Sequence, residues 1–276
     1  MKLYFAGNAI TAENEVFLCS YGLKYRLLSF ADIDSWSTRA FGWWVTDAAP
    51  ERLFLDSGAF GAHTRGPVID LDYYCDFIRK HEEHFYPYAA LDVIGDWRGS
   101  ARNYDLMREK GLEPMPTFHM GSPDEELRRL LKEADYIALG GVVGASRDTM
   151  QPWLDKCYRT IKDFFPKKVH VFGVMAQWAL ERYPFYSADS SSALVGAGMG
   201  RVSVFEESKV RSLDWMTYGK NTYDGSIMDG VSKIRVKNGS AWPGRAAMNI
   251  NSQLALQRHI TDIWAMRGVT WEDLNV

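Results

Sequence analysis

The stretch R-L-F-L-D-S-G-A-F-G, from Arg52 to Gly61, sets three apolar residues, Leu53, Phe54 and Leu55, directly ahead of a carboxylate, Asp56. An apolar run followed by Asp and then by Gly58, Gly61 and Gly66 reads as a short buried strand that breaks into a loop. An acid is thereby offered at a strand end. Taken alone, such an Asp is more often a cap or turn residue than a catalytic one.

The same pattern recurs along the chain. Short apolar runs occur near Leu3 to Ala6, Tyr25 to Ser29, Leu53 to Asp56, Tyr86 to Asp92, Met115 to His119, Tyr136 to Gly140, Val169 to Gly173 and Phe185 to Asp189. Polar segments with helical spacing lie between most of them: one from Asp70 towards Phe85, one from Ser100 to Gly111, one from Asp148 to just before Pro166. In S-P-D-E-E-L-R-R-L-L, Ser122 is expected to cap, Pro123 to occupy the first turn and Glu125 to complete a capping box. Strands alternating with helices predict a parallel α/β fold. A closed (β/α)8 TIM barrel is the preferred architecture and an open doubly wound sheet the alternative. No repeat or linker divides the chain, so residues 1–200 are expected to form the catalytic barrel. Residues 201–276 then form a basic segment and a helix packed on it, with G-R-V-S-V-F at Gly200 to Phe205 peripheral and a helix from Asn249 to Arg267 that Gly268 ends.

Composition narrows the class. The 276 residues are 46% hydrophobic and 24% charged, without an apolar run long enough to span a bilayer. No membrane partner is expected. The N-terminal M-K-L-Y-F-A-G-N lacks the features of a secretory signal, so a cytoplasmic protein is expected. Cys19, Cys75 and Cys157 are far apart and provide neither a disulfide framework nor a Cys-x-x-Cys site. The net charge is −3, yet the segment after residue 200 carries more Lys and Arg than Asp and Glu. Arg201, Lys209, Arg211, Lys220, Lys233, Arg235, Lys237 and Arg245 stand there among Trp215, Tyr218, Tyr223 and Trp242, a mixture suited to a nucleic-acid backbone and unpaired bases. A solvated surface with ordinary aromatic anchors fits the same composition.

In a (β/α)8 barrel the chemistry lies at the C-terminal ends of the strands. Asp56, Asp92, His119, Gly140 with Gly141, Gly173 and Asp189 each follow an apolar run. Carboxylates in a pocket without metal ligands suit glycosyl transfer, in which one ionised Asp attacks an anomeric carbon while another group handles the proton. The H-E-E-H stretch from His81 to His84 lacks the metalloprotease pattern and reads as a solvated helix face. Phosphate-loop and G-x-S-x-G patterns are absent, and G-A-G-M-G from Gly196 is not a full dinucleotide fingerprint. Ser190, Ser191 and Ser192 read as a turn or helix start.

These residues resemble a family. D-S-G-A-F at Asp56 to Phe60 is similar to the D-S-G-G-F/Y motif of the guanine transglycosylases, which exchange guanine for a 7-deazaguanine in tRNA or DNA. Further similarities follow in family order: A-L-D at Ala90 to Asp92, T-F-H-M-G at Thr117 to Gly121, A-L-G-G-V-V-G at Ala138 to Gly144, H-V-F-G-V at His170 to Val174 and S-A-D-S-S-S-A at Ser187 to Ala193. The resemblance implies a (β/α)8 barrel. It also implies Asp189 as the nucleophile on C1′, Asp56 as the proton-handling carboxylate and Asp92 as acceptor for the N1–H and amine of the purine. His119 stands where the tRNA enzymes have Gln near O6. Gly140 and Gly141 would let backbone approach the base, Phe60 and Phe172 would sandwich it, and Ser57 and Gly173 complete the base-binding group.

The departures are informative. The tRNA enzymes hold zinc through a Cys-x-Cys-x-x-Cys and His set beyond the nucleophile, and no cysteine follows Asp189 here. No zinc of that kind is expected, and no other cofactor. A zinc-less version is more similar to the DNA 7-deazaguanine transglycosylases, often phage-encoded, which would place it in a host cytoplasm. The expected partners are DNA, with tRNA as the alternative, a free 7-deazaguanine base, and a partner protein to assist a net acidic enzyme on nucleic acid. A barrel that binds a nucleobase or nucleic acid without turnover is the reading from another class.

Overall fold

Side chains along the strands alternate between two environments. The computed structural model describes residues 1–7, 12–33, 52–65, 68–214 and 242–271. In β1 (Lys2–Ala6), Leu3 and Phe5 join a large core under the surrounding helices, while Tyr4 faces a second cluster. β3 (Arg52–Asp56) repeats the pattern with Leu53 and Leu55 against Phe54, and β6 (Tyr136–Gly140) with Ile137 and Leu139 against Ala138. The second cluster also takes Leu27 of β2 (Tyr25–Ser29), Ala89 just after β4 (Phe85–Tyr88) and Met115 just before β5 (Thr117–His119). A period of two with both faces apolar is what a strand buried on both sides requires. Each such large side chain contributes about 1.5–3 kcal/mol on burial.

Among the described residues, eight parallel strands form one curled sheet in the order β4-β3-β2-β1-β8-β7-β6-β5, with β7 at Lys168–Val171 and β8 at Ser187–Ser190. Its edges meet, because Ala89 and Met115 form a parallel bridge. Met115 N–H donates to the Tyr88 carbonyl at 2.8 Å, and Ala90 N–H to the Met115 carbonyl at 2.9 Å. The inner cluster is therefore the interior of a single-domain (β/α)8, TIM-barrel-like fold, as the spacing of apolar runs predicts. Trp271 closes the N-terminal end of the barrel, its ring 5.4 Å from that of Tyr186.

The helices alternate with the strands: α1 (Ala12–Cys19), α2 (Phe30–Ile33), α3 (Ala59–Arg65), α4 (Leu71–Lys80), α5 (Trp97–Glu109), α6 (Asp124–Glu133), α7 (Arg147–Ile161), α8 (Gln177–Arg182) and α9 (Ser192–Gly198). Asp70 caps α4 through Tyr73 N–H as expected. Three expectations are corrected. α5 begins at Trp97 with Asp96 as its cap, because the Ser100 hydroxyl is already committed to the Val93 loop. α7 is capped by Ser146 rather than begun by Asp148. Ser122 forms no cap or capping box: its N–H donates to the His119 carbonyl, so it belongs to the turn at the mouth, and Pro123 takes the cap position. The His81 to His84 stretch ends α4 and forms a 3₁₀ turn.

Beyond residue 200, β9 (Arg201–Glu206) and β10 (Lys209–Asp214) form an antiparallel hairpin outside the barrel sheet. Glu207 and Ser208, both at positive φ, make its two-residue turn. α10 runs from Trp242 to Met266, seven residues earlier in its start than the sequence pattern predicts. It belongs to the barrel wall. Buried Asn249 accepts from Ser203 N–H at 2.6 Å and donates to the carbonyls of Ala193 and Arg201, joining α10 to α9 and β9.

Candidate functional site

The strand ends open into a cavity of about 720 Å³ lined by Asp56, Asp92, His119, Asp189, Phe60 and Phe172, with Ser57, Gly140, Gly141 and Gly173 also on its wall. Every base-binding or catalytic position predicted from sequence therefore faces one space. Among the described residues, seven of the eight strand ends or their loops contribute to it. A cavity of this size matches a small-molecule site.

Asp56 ends β3, in register with Ser29 of β2. Gly58 N–H donates to its Oδ2 at 3.0 Å. This turn requires glycine: Gly58 has φ +76°, and an added Cβ would lie 2.6 Å from Ala31 Cβ and 2.9 Å from Ala31 N. Burial, then the charges of Asp92 and Asp189, push the Asp56 carboxyl up to about 7, against the two backbone donors. It is the group poised to gain and lose a proton near neutrality.

Asp92 lies in the loop four residues past β4, further from its strand than the apolar run suggests. Its Oδ2 is 3.1 Å from His119 Nε2. Its Oδ1 is buried with no hydrogen-bond partner among the described residues, as is Thr117 Oγ1 beside it. Burial pulls the His119 imidazole down, but the hydrogen bond and charge of Asp92 outweigh it and hold the ring above its ordinary value.

Asp189 stands on β8, in register with inward-facing Tyr4. Its Oδ1 accepts from Gly173 N–H at 2.8 Å and from His170 Nε2 at 3.2 Å. Among the described residues both hydrogen bonds fall on that oxygen, and Asp189 lines the cavity. Gly173 is at φ +69°, a conformation that aims its N–H at the carboxylate. Fully buried His170 in turn lies 2.6 Å from Ser187 Oγ through Nδ1, and Ser187 Oγ bonds the Tyr136 hydroxyl.

No known protein-family model matches the chain, and no curated protein matches it. What the site can do follows from its own chemistry.

The aromatic and glycine positions differ in kind. Phe172 is half-buried against His170 and Phe54, with ring centroids 4.5 and 5.8 Å away, whereas Phe60 is exposed at the mouth. Gly140 leaves no space for a side chain, since a Cβ there would sit 2.7 Å from Thr117 Cγ2. Ser190 and Ser192 bond each other at the start of α9, the turn role expected of them.

The basic group divides. Arg201 and Lys209 are exposed on the hairpin, and Arg211 is exposed but paired with Glu207 at 2.8 Å. The Gln177 amide ties that hairpin to the start of α8, accepting from Val210 N–H and donating to the Ser208 carbonyl. Arg245 is otherwise engaged: its Nε donates to the Ala197 carbonyl at 2.8 Å, fastening α10 to α9. Trp242, 8% exposed, is likewise a core anchor bonded to the Leu194 carbonyl. Lys220, Lys233, Arg235 and Lys237, with Trp215, Tyr218 and Tyr223, lie outside the described residues.

Sequence reasoning assigned no role to His170, Ser187, Tyr136 or Trp97. The first three occupy inward positions of their strands, a signal carried by the alternation once the register is known. Trp97 lines the cavity from the first turn of α5, with Arg98 over its ring at 4.6 Å. Among the described residues no group of three or more His, Cys, Asp or Glu is placed to hold a metal ion, and no helix is long and apolar enough to cross a membrane.

Proposed function

We propose that the protein is a base-exchange transglycosylase, a pentosyltransferase that replaces guanine in DNA with a 7-deazaguanine. The observation that carries this reading is the pairing of two unlike carboxyls in one cavity: Asp189, with one oxygen held by two donors, and Asp56, raised to about 7. Environments that separate two acids in this way separate a nucleophile from a proton carrier.

The steps balance with these groups. Asp189 Oδ2 attacks C1′ as the C1′–N9 bond breaks, and protonated Asp56 gives its proton to the departing guanine. A glycosyl ester on Asp189 remains. The incoming 7-deazaguanine loses its N9 proton to the Asp56 carboxylate while N9 attacks C1′ and the ester bond breaks, so that two displacements retain configuration. Asp92 supports the choice of base, since it lines the cavity as a carboxylate, an acceptor that suits the N–H groups on a guanine edge. Phe60 and Phe172 supply ring faces for a base taken out of its stack.

The test is exchange of radiolabelled guanine into duplex DNA, single-stranded DNA or bulk tRNA, with wild type and Asp189→Ala. Label entering DNA, and lost in the variant, is the expected result. Label entering tRNA alone moves the polymer to RNA. A protein that binds base with no exchange, and whose Asp189→Ala variant binds equally, is a binding module and overturns the reading.

A further inference from the structure

Behind Asp189 a line of polar side chains crosses the apolar interior of the barrel. His170 and Ser187 are register partners on β7 and β8, and Asp189 lies two residues beyond Ser187 on the same inward face. The His170 ring is enclosed by the rings of Phe172 at 4.5 Å, Phe54 at 4.9 Å and Tyr4 at 6.2 Å. A polar group in such surroundings is costly unless bonded at every position.

The line has one self-consistent direction when Asp189 is ionised. A carboxylate only accepts, so His170 Nε2 carries the ring proton. Nδ1 then accepts from the Ser187 hydroxyl, and Ser187 Oγ, its proton committed, accepts from the Tyr136 hydroxyl. Burial favours the neutral imidazole over the opposing pull of Asp189, and holds Tyr136 protonated far above its ordinary range.

We propose that His170 is a positioning residue for Asp189: backed by Ser187 and Tyr136, it locks Oδ1 in place and presents Oδ2 as the attacking oxygen. The chemistry rests on the transglycosylase reading, but the hydrogen-bond direction does not. The imidazole is a fixed donor and takes no proton from substrate, so proton transfer stays with Asp56. Among the described residues, the titratable groups facing it are Asp189 on β8, Tyr136 on β6 and Tyr4 on β1; β3 and β7 present Phe54 and Phe172. Asp189 in turn acts on Asp56 through space.

Two measurements test this. The first is ¹⁵N NMR of histidine-labelled wild type, which needs no activity. The expected result is a neutral Nε2–H tautomer for His170 between about pH 6 and 8, and an Nδ1–H tautomer or a titrating imidazolium there overturns the proposal. The second is kcat, set against the KM for free base, in His170→Phe and His170→Gln. Removing one preorganised donor is expected to lower kcat about 100-fold with the KM for free base nearly unchanged. The Gln amide should restore most of that loss. Wild-type kcat in His170→Phe, or equal losses in Phe and Gln, overturn the positioning role. Absence of exchange in wild type sinks the transglycosylase reading instead, and leaves the tautomer result to decide the relay.

Discussion

His119 Nε2 and Asp92 Oδ2 stand 3.1 Å apart, joining the end of β5 to the loop after β4. The pair fixes one oxygen of Asp92 and leaves the other without a donor among the described residues. Because Asp92 holds the His119 imidazole above its ordinary value against burial, folding gains stability from protonated His119. That gain is fully present below the unfolded value near 6.5 and disappears as pH rises through the folded value. His119→Gln is therefore expected to lose more stability relative to wild type at about pH 5 than at about pH 9. Urea unfolding at the two pH values measures this, and an equal loss at both would show that the pair is not ionic.

Asp56 shifts stability in the same direction with pH, but as a penalty on its charged form rather than a gain from one. With its folded value near 7 and its unfolded value near 4, the folded state holds a proton that the unfolded chain has released. Stability falls as pH rises between those two values, by about 1.4 kcal/mol per pH unit, and is flat above them. Asp56→Asn removes this penalty. The variant should match wild type in stability at about pH 4 and exceed it by up to a few kcal/mol at about pH 8, while its base exchange is lost. A stability gain independent of pH would sink this account of Asp56.

Gly58 is strained for any other residue. Gly58→Ala combines a φ of +76° with contacts that Ala31 cannot relieve, whereas Gly144, at φ +80°, has nothing within 4 Å of an added Cβ. Left-handed backbone costs a non-glycine residue about 1–3 kcal/mol. Denaturation of the two alanine variants should show the larger loss at Gly58, with exchange impaired only there because Gly58 N–H holds Asp56. Equal losses would mean that the packing around Ala31 adjusts.

Phe60 and Phe172 should separate binding from stability. Phe60 is 56% exposed, so Phe60→Ala is expected to leave the unfolding midpoint nearly unchanged while weakening base binding by ~1–3 kcal/mol, a stacking loss. Phe172→Ala should weaken binding and also destabilise the barrel, since Phe172 packs on Phe54 and His170. Calorimetric titration with free guanine beside thermal melts measures both. Unchanged binding in Phe60→Ala would remove that ring from the site.

The strands and the residues at their mouths are legible in the chain alone, because a strand buried on both faces must be an apolar run and a polar residue at its end breaks that run. Leu53 to Asp56 and Tyr136 to Gly140 are legible for this reason, and Asp56, His119 and Asp189 with them. Helix starts were less legible: Ser122 has the residues of a capping box, yet a tertiary turn claims its N–H. Which inward side chains meet across strands depends instead on the assembled barrel. His170, Ser187 and Tyr136 lie on three strands and become neighbours through the register of β6, β7 and β8, which local sequence does not encode. The two oxygens of Asp189 are distinguished in the same way, by donors on a neighbouring strand end. Composition likewise left the basic residues equivalent, and packing separated exposed Lys209 from Arg245, whose guanidinium holds two helices together.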